Sequence, residues 1–267
     1  MNRMKLVKLK KLLAVLLCAV LLPGIVGCSQ QSAASPITSA ADLVGRKIAV
    51  QEGTTGDVYV TDEIEGSQVT RFKKATDAAM ELLNSRVDAV VIDELPAKRL
   101  VAANEGKLKI LDVALTTEQY AIALDKGQEE LLGQINAAID ELRAEGVIDT
   151  LFDIFISGED LEIPAVPEYT ADGVIIMGTN AEFEPFEYRD DNNEITGFDV
   201  WMAKHIAAKL GKTLEINDMA FDSLIAAVNS GKVDFVAAGM TANDERRQNV
   251  DFTQDYFESS QVIIVRQ

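Results

Sequence analysis

Few side chains in this chain of 267 residues can do chemistry, and where they fall matters more than how many there are. There is one histidine, His205, and two cysteines, Cys18 and Cys28, both near the N-terminus. His205 lies in the series Phe198, Trp201/Met202, His205/Ile206, Lys209/Leu210. That is the seam of a helix, so His205 reads as a packed or half-exposed helix position rather than a base. No nucleophile–base pair, metal cluster or acid pair stands out, and neither a cofactor nor a metal is expected. What remains is a set of polar groups at the ends of apolar runs. The turn Gln51-Glu52-Gly53-Thr54-Thr55-Gly56 is rich in backbone donors and suits an anion at a helix start. Asp93 closes a second apolar run, and Gly239 to Thr241 follow a third. Arg246 offers a planar, two-pronged cation, although Asp244-Glu245-Arg246-Arg247 taken alone reads more readily as a solvated helix end. Glu182, Glu184 and Glu187 read as solvated.

The elements that must position these groups alternate between strand and helix. Lys47 to Val50 is a short apolar strand. A helix from about Thr76, a good N-cap, carries Ala79, Met80, Leu82 and Leu83. Val87 to Ile92 and Tyr120 to Leu124 are further strands, and Leu132, Ile135, Ile139 and Leu142 repeat at helical spacing up to Gly146. After a loop with two prolines (Glu159 to Asp172) come strand Val174 to Met177, helix Phe198 to Leu210, helix Asp222 to Asn229 and strand Val233 to Ala237. Such alternation predicts an α/β fold with parallel sheets covered by helices on both faces. Asn84-Ser85-Arg86-Val87-Asp88-Ala89-Val90-Val91 resembles Asn229-Ser230-Gly231-Lys232-Val233-Asp234-Phe235-Val236, and each follows an apolar helix. Two similar units predict two similar lobes. Ligands of open α/β sheets gather at the carboxyl ends of strands, so a site shared by the two is a cleft between lobes.

The N-terminus stands apart. Arg3, Lys5, Lys8, Lys10 and Lys11 precede an apolar stretch from Leu12 to Gly27, the pattern of a secretory signal. Ile25-Val26-Gly27-Cys28 resembles the lipobox of bacterial lipoproteins, which implies a signal peptide over 1–28 and a lipid on Cys28. Residues 29–40 are rich in Ser, Gln and Ala and read as a flexible tether, leaving the protein extracytoplasmic and anchored to the cell membrane. The chain has 25 basic and 43 acidic residues; without the five signal cations its charge moves from −18 to −23. That excludes nucleic acid as a partner, because a phosphate backbone needs a positive face.

Three segments, Gly178-Thr179-Asn180-Ala181-Glu182-Phe183-Glu184-Pro185-Phe186-Glu187-Tyr188, Gly197-Phe198-Asp199-Val200 and Gly239-Met240-Thr241-Ala242-Asn243-Asp244-Glu245-Arg246, resemble the first half of the family 3 solute-binding proteins of polar amino acid ABC transporters. Asp42 to Lys47, Gly53 to Gly56 and Val87 to Asp93 resemble that family's second half. The halves stand in reversed order, which reads as a circular permutation; a fragment of a tandem fusion is the other reading. The resemblance implies a periplasmic-binding-protein-like (type II) fold, circularly permuted. One lobe is expected from 41–117 plus 256–267 and the other from 118–255, with 157–172 as a joining loop.

The resemblance also implies roles. A free amino acid would set its carboxylate on Arg246, with donors from Thr241 on one lobe and Thr54 and Thr55 on the other. Its ammonium would meet Asp93 and the backbone of Gly239. Phe183 and Phe221 would sandwich its aliphatic part, and Asn180 and Gln51 would choose its side chain. Relatives that select basic amino acids often carry an acid where Asn180 stands, so an amide there weakens the case for lysine or arginine, though Glu182 nearby could compensate. The implied partners are a free amino acid, ABC transporter permease subunits and, through the lipid, the membrane, with the protein a monomer. A sensor module and a dehydratase-like enzyme are the alternative readings.

Overall fold

The computed structural model describes residues 35–267, so the expected signal segment 1–28, Cys28 and the first part of the tether lie outside the described residues. The tether expected over 29–40 ends early. Ile37 is buried with Leu43, Val60 and Leu111, and the Asp42 carboxylate takes hydrogen bonds from Thr38 and Ser39 to start a 3-10 turn.

The chain then runs β1 (Lys47–Gln51), α1 (Thr55–Glu63), β2 (Gln68–Phe72), α2 (Ala75–Leu83), β3 (Ala89–Asp93), α3 (Glu94–Ala102) and β4 (Leu108–Ile110). Short strands β5 (Glu118–Tyr120) and β6 (Ala123–Asp125) lead into α4 (Glu129–Ala144) and α5 (Val147–Phe152), followed by a π-helical turn over Asp153–Ser157. Next come β7 (Val174–Thr179), β8 (Glu182–Phe183), β9 (Glu187–Arg189), β10 (Ile195–Thr196), α6 (Phe198–Lys209), β11 (Thr213–Asp218) and α7 (Leu224–Asn229). The last elements are β12 (Phe235–Val236), β13 (Val250–Phe252), β14 (Phe257–Ser259) and β15 (Gln261–Arg266).

Two five-stranded sheets form, in the orders β2-β1-β3-β15-β4 and β11-β7-β12-β6-β13. Both follow one plan: three parallel strands, then an antiparallel strand, then an edge strand. In each, the antiparallel strand comes from far along the chain. β15 sets Ile263 against Val91 of β3, and β6 sets Ala123 against Val236 of β12. A two-stranded ribbon of β5 and β14, with Tyr120 opposite Phe257, lies where the chain crosses between sheets. β5 leads into the β7 sheet and β14 into the β1 sheet, so both crossings run side by side.

Alternation along the strands gives each sheet two apolar faces. In the β1 sheet, Ile48, Val50, Val91 and Ile263 pack with Val60 and Ile64, while Ala49, Val90, Ile92 and Ile264 pack with Ala78 and Leu82 of α2. In the β7 sheet, Leu124, Met177 and Phe235 meet Ile135 and Ile139 of α4, and Ala123 and Val236 meet Leu224 and Val228 of α7.

Several expected elements are shifted. α2 begins at Ala75 with Lys74 before it, and its buried stripe is Ala75, Ala78, Ala79 and Leu82; Met80 is 54% exposed, since its position turns away from that stripe. The strand expected over Tyr120 to Leu124 breaks into β5 and β6, because residues 121 and 122 carry the chain from the ribbon into the β7 sheet. The boundary expected at Glu118 therefore falls inside the ribbon. The helix expected from Asp222 starts as a 3-10 turn at Phe221–Ser223 and becomes α-helical at Leu224.

Candidate functional site

The carboxyl ends of the parallel strands of both sheets face one cleft. From the β1 lobe come Gln51 at the end of β1, Thr54 and Thr55 at the start of α1, and Asp93 at the end of β3. From the β7 lobe come Phe183, Phe221, Gly239, Thr241 and Arg246. The cavity they enclose is about 10 Å³, room for one water molecule, so the lobes lie closed on each other. Salt bridges from Lys73 to Asp222 (2.7 Å), Lys74 to Glu182 and Arg99 to Glu184 (3.4 Å) tie the rims of the two lobes. These pairs are solvated and individually weak.

Arg246 sits in a 3-10 turn, Arg246–Gln248, and is 7% exposed. Its Nη1 donates to the Thr241 carbonyl at 2.9 Å, and its Nη2 crosses the cleft to the Gly53 carbonyl at 3.0 Å. The guanidinium stands 5.2 Å from the Phe221 ring centroid. Burial lowers its pKa, opposed by the charges of Glu118 and Asp93. This is a desolvated cation held in a plane by carbonyls from both lobes, ready to exchange one for an anionic ligand.

Opposite lies an acidic pocket larger than sequence reasoning anticipated. Asp93 is buried, and its carboxylate accepts the Tyr120 hydroxyl, which also lies 3.0 Å from Ser259 Oγ. Burial, then the charge of Glu118, pushes Asp93 up to about 7, while the Tyr120 hydrogen bond pulls it down. Glu118 is itself buried on β5. Its Oε2 accepts the Thr241 hydroxyl at 2.5 Å, and its Oε1 accepts Thr116 Oγ1 at 2.6 Å. Thr116 in turn accepts the Gln261 backbone N–H at 2.9 Å, so hydrogen bonds run from β15 through the β5 crossing to Thr241. Glu118 and Tyr120 were absent from the sequence-derived site. Both carry a signal that could have found them: polar atoms at alternate positions of a strand just before a buried run.

The remaining expected residues have varied employment. Thr54 Oγ1 donates to the Gln51 carbonyl at 2.8 Å and accepts the Asp57 N–H at 3.3 Å, so it caps α1. Thr55 opens α1 and lines the cavity. Gln51 Nε2 bridges to Asn180 Oδ1 at 2.8 Å across the lobes, and Asn180 Nδ2 donates to the Met219 carbonyl at 2.9 Å. Asn180 thus joins the cleft through Gln51 and does not line the cavity. Gly239 adopts φ +52°, and a Cβ there would lie 2.5 Å from Phe183 Cε1, so only glycine lets this turn approach the ring. Phe183 stacks on Phe186 with centroids 5.8 Å apart. His205 is buried with Nε2 3.2 Å from the Pro164 carbonyl, far from this chemistry in role. Glu187, read as solvated, is instead fully buried, because β9 turns it beneath the aromatic floor toward α6.

Residues 175–267 match the family described as bacterial extracellular solute-binding proteins, family 3. The chain is 47% identical over 90 residues to an arginine-binding extracellular protein, ArtP, of Bacillus subtilis (strain 168), covering 34% of this chain and 35% of that protein. It is 38% identical over 101 residues to a probable histidine-binding protein of Neisseria gonorrhoeae, covering 38% of each. Among solved structures it is similar to the arginine-bound form of domain 1 from TmArgBP, at 41% identity and a TM-score of 0.32, covering 36% of this chain and 81% of that one. The chain spans little more than a third of the length of these two curated relatives.

Proposed function

We propose that this chain, a family 3 extracellular solute-binding protein over residues 175–267, captures a free amino acid between its two lobes and hands it to an ABC importer. The observation that carries the reading is the placement of Arg246 and Asp93 on opposite lobes of one cleft, with Thr241, Gly239 and the rings of Phe183 and Phe221 around them. That set complements a small zwitterion: a guanidinium for its carboxylate, a carboxylate for its ammonium, and apolar faces for the carbons between. The closed cavity is too small for such a molecule, so the lobes must part at the β5–β14 ribbon to admit it.

Charge narrows the ligand. Asp93 and Glu118 oppose one guanidinium, so a ligand with a net positive charge balances the site better than a neutral one. We therefore favour a cationic amino acid, and the names of the arginine- and histidine-binding relatives point the same way. Asn180 does not weaken this reading, since its amide is engaged by Gln51 and Met219. The protein is proposed to act as a monomer. The reversed order of the two family-like halves is read as a circular permutation: each sheet receives its antiparallel strand across the ribbon. The anchor is proposed at Cys28, and more than one acyl chain is expected, since a single one binds membranes marginally. Cys28→Ser should then leave the protein in the soluble fraction or uncleaved.

A thermal-shift screen against the twenty amino acids tests the function. A ligand at a hundred times its Kd adds about 2.7 kcal/mol, or roughly 5–11 °C for a domain of this size. Arginine, lysine or histidine should lead. A ranking led by an acidic or aliphatic amino acid would overturn the cationic preference, and no shift with any of them would overturn the function.

A further inference from the structure

Beneath the cleft lies a pair of carboxyl groups that ligand binding does not use. Glu187 on β9 and Asp199 in the first turn of α6 are both fully buried. Asp199 Oδ2 accepts the Gly239 N–H at 2.9 Å and the Tyr256 hydroxyl at 2.7 Å. Asp199 Oδ1 and both oxygens of Glu187 receive no N–H or O–H from any described residue. The two carboxyl groups lie within bonding reach of each other, and neither can donate while both are ionised.

Two carboxylates without a donor repel, and they can bond only through a proton that one of them carries. Asp199 already accepts two hydrogen bonds that favour its ionised form, whereas Glu187 has none. We propose that Glu187 is a neutral carboxylic acid donating to Asp199 Oδ1, and that this shared proton makes the pair a positioning device for Gly239 in the ligand cleft. Gly239 has no slack: a Cβ there would meet the Phe183 ring at 2.5 Å and the Tyr120 ring at 3.3 Å. Its N–H is fixed by Asp199, and Asp199 is fixed by Glu187 and Tyr256. The assembly thus links β9, α6, the approach to β14 and the cleft loop.

The surroundings keep the proton in place. The charges that act most on Glu187 are those of Asp199, Asp93 and Asp218, and on Tyr256 those of Asp199, Glu187 and Tyr120. Arg189, next but one along β9, is paired with Asp218 at 2.8 Å. Burial raises Glu187 well above the usual carboxylate range and Asp199 up to about 6. For an acid raised on folding, the folded chain holds a proton that the unfolded chain releases. Its contribution is therefore complete at acid pH and declines as pH rises through the raised value. Alkaline pH is where the pair fails and the support of Gly239 loosens.

Carboxyl-carbon NMR of the protein, without ligand, tests the pair directly. Glu187 should remain protonated at pH 7 while exposed glutamates are ionised, and the Gly239 amide resonance should move as Glu187 titrates. An ionised Glu187 at pH 7 would overturn the proposal, and this titration decides it even if every variant misfolds. Glu187→Gln keeps a donor facing Asp199, so the part of the Gly239 amide's pH response that tracks Glu187 titration in the wild type should disappear while L-arginine affinity stays near wild type. Glu187→Ala leaves Asp199 short of a partner, and about a tenfold loss of L-arginine affinity is expected. Parallel pH profiles for wild type and Glu187→Gln would also overturn it. The positioning role rests on the amino-acid reading of the cleft, whereas the titration reads the pair whether or not an amino acid binds.

Discussion

Replacing Arg246 with lysine removes the planar fork while keeping the charge, and the structure allows the cost to be worked out. Arg246 uses Nη1 on the Thr241 carbonyl and Nη2 on the Gly53 carbonyl, 2.9 and 3.0 Å away on opposite lobes. A lysine ammonium is a compact point charge, so one of these carbonyls loses its charged donor, at about 1.5–3 kcal/mol. In the liganded protein the same geometry predicts loss of one arm of a two-armed contact to the carboxylate. That again costs about 1.5–3 kcal/mol, roughly a 10- to 150-fold rise in Kd. Calorimetry on Arg246→Lys at pH 8, with the best amino acid from the thermal-shift screen, measures this. The melting temperature of the unliganded variant separately reports the Gly53 contact between lobes. Affinity within threefold of wild type would remove Arg246 from the ligand site, even if the melting temperature falls.

Three further outcomes follow from the same geometry. Gly239→Ala puts a methyl 2.5 Å from Phe183 Cε1 at φ +52°, and calorimetry should show amino-acid binding lost while circular dichroism stays near wild type. Asp93 must be ionised to hold an ammonium, so affinity should fall by up to about tenfold per pH unit below about 7, a slope that Asp93→Asn should abolish. Its effect on stability has the opposite sign: with the folded value raised from 3.8 to about 7, that contribution diminishes as pH rises across this window, which melting curves will show. Deleting Ser260–Gln267 removes the buried Val262, Ile263, Ile264 and Val265 from the middle of the β1 sheet. At about 1.5–3 kcal/mol each, that rivals the whole net stability of a domain, and proteolysis should degrade the β1 lobe first.

The architecture was legible because burial leaves periodic traces. The apolar runs around Val50, Val91 and Val236 and the helical spacing of Ile135, Ile139 and Leu142 locate the sheets and their covering helices. The cleft residues were legible for a different reason: Gly239 to Arg246 and Gly53 to Thr55 are short, dense motifs. What escaped was whatever depends on contacts distant in sequence. Glu118 reads as an ordinary acid before a strand, and only the approach of Thr241, 123 positions away, makes it part of the site. Glu187 reads as one of three solvated glutamates, because nothing local tells which face of so short a strand is covered. Thr76 looks a better cap than Lys74, yet tertiary packing of Ala75 draws the helix start forward.

The place of β15 has a consequence for how the protein comes into being. Its partners β3 and β4 lie near residues 90 and 109, so the gap between them stays unfilled until more than 150 further residues have been made. During that interval the two strands present bare edges and an apolar floor, the kind of surface that invites pairing with the wrong chain. The β7 sheet waits less, since β6 meets β12 about 110 residues after it is made and its last strand, β13, comes before β15. In a nascent chain the β7 lobe therefore completes its sheet before the β1 lobe does, and the β1 lobe has the longer-lived bare edges until β15 pairs. A holding chaperone would find its binding surface there.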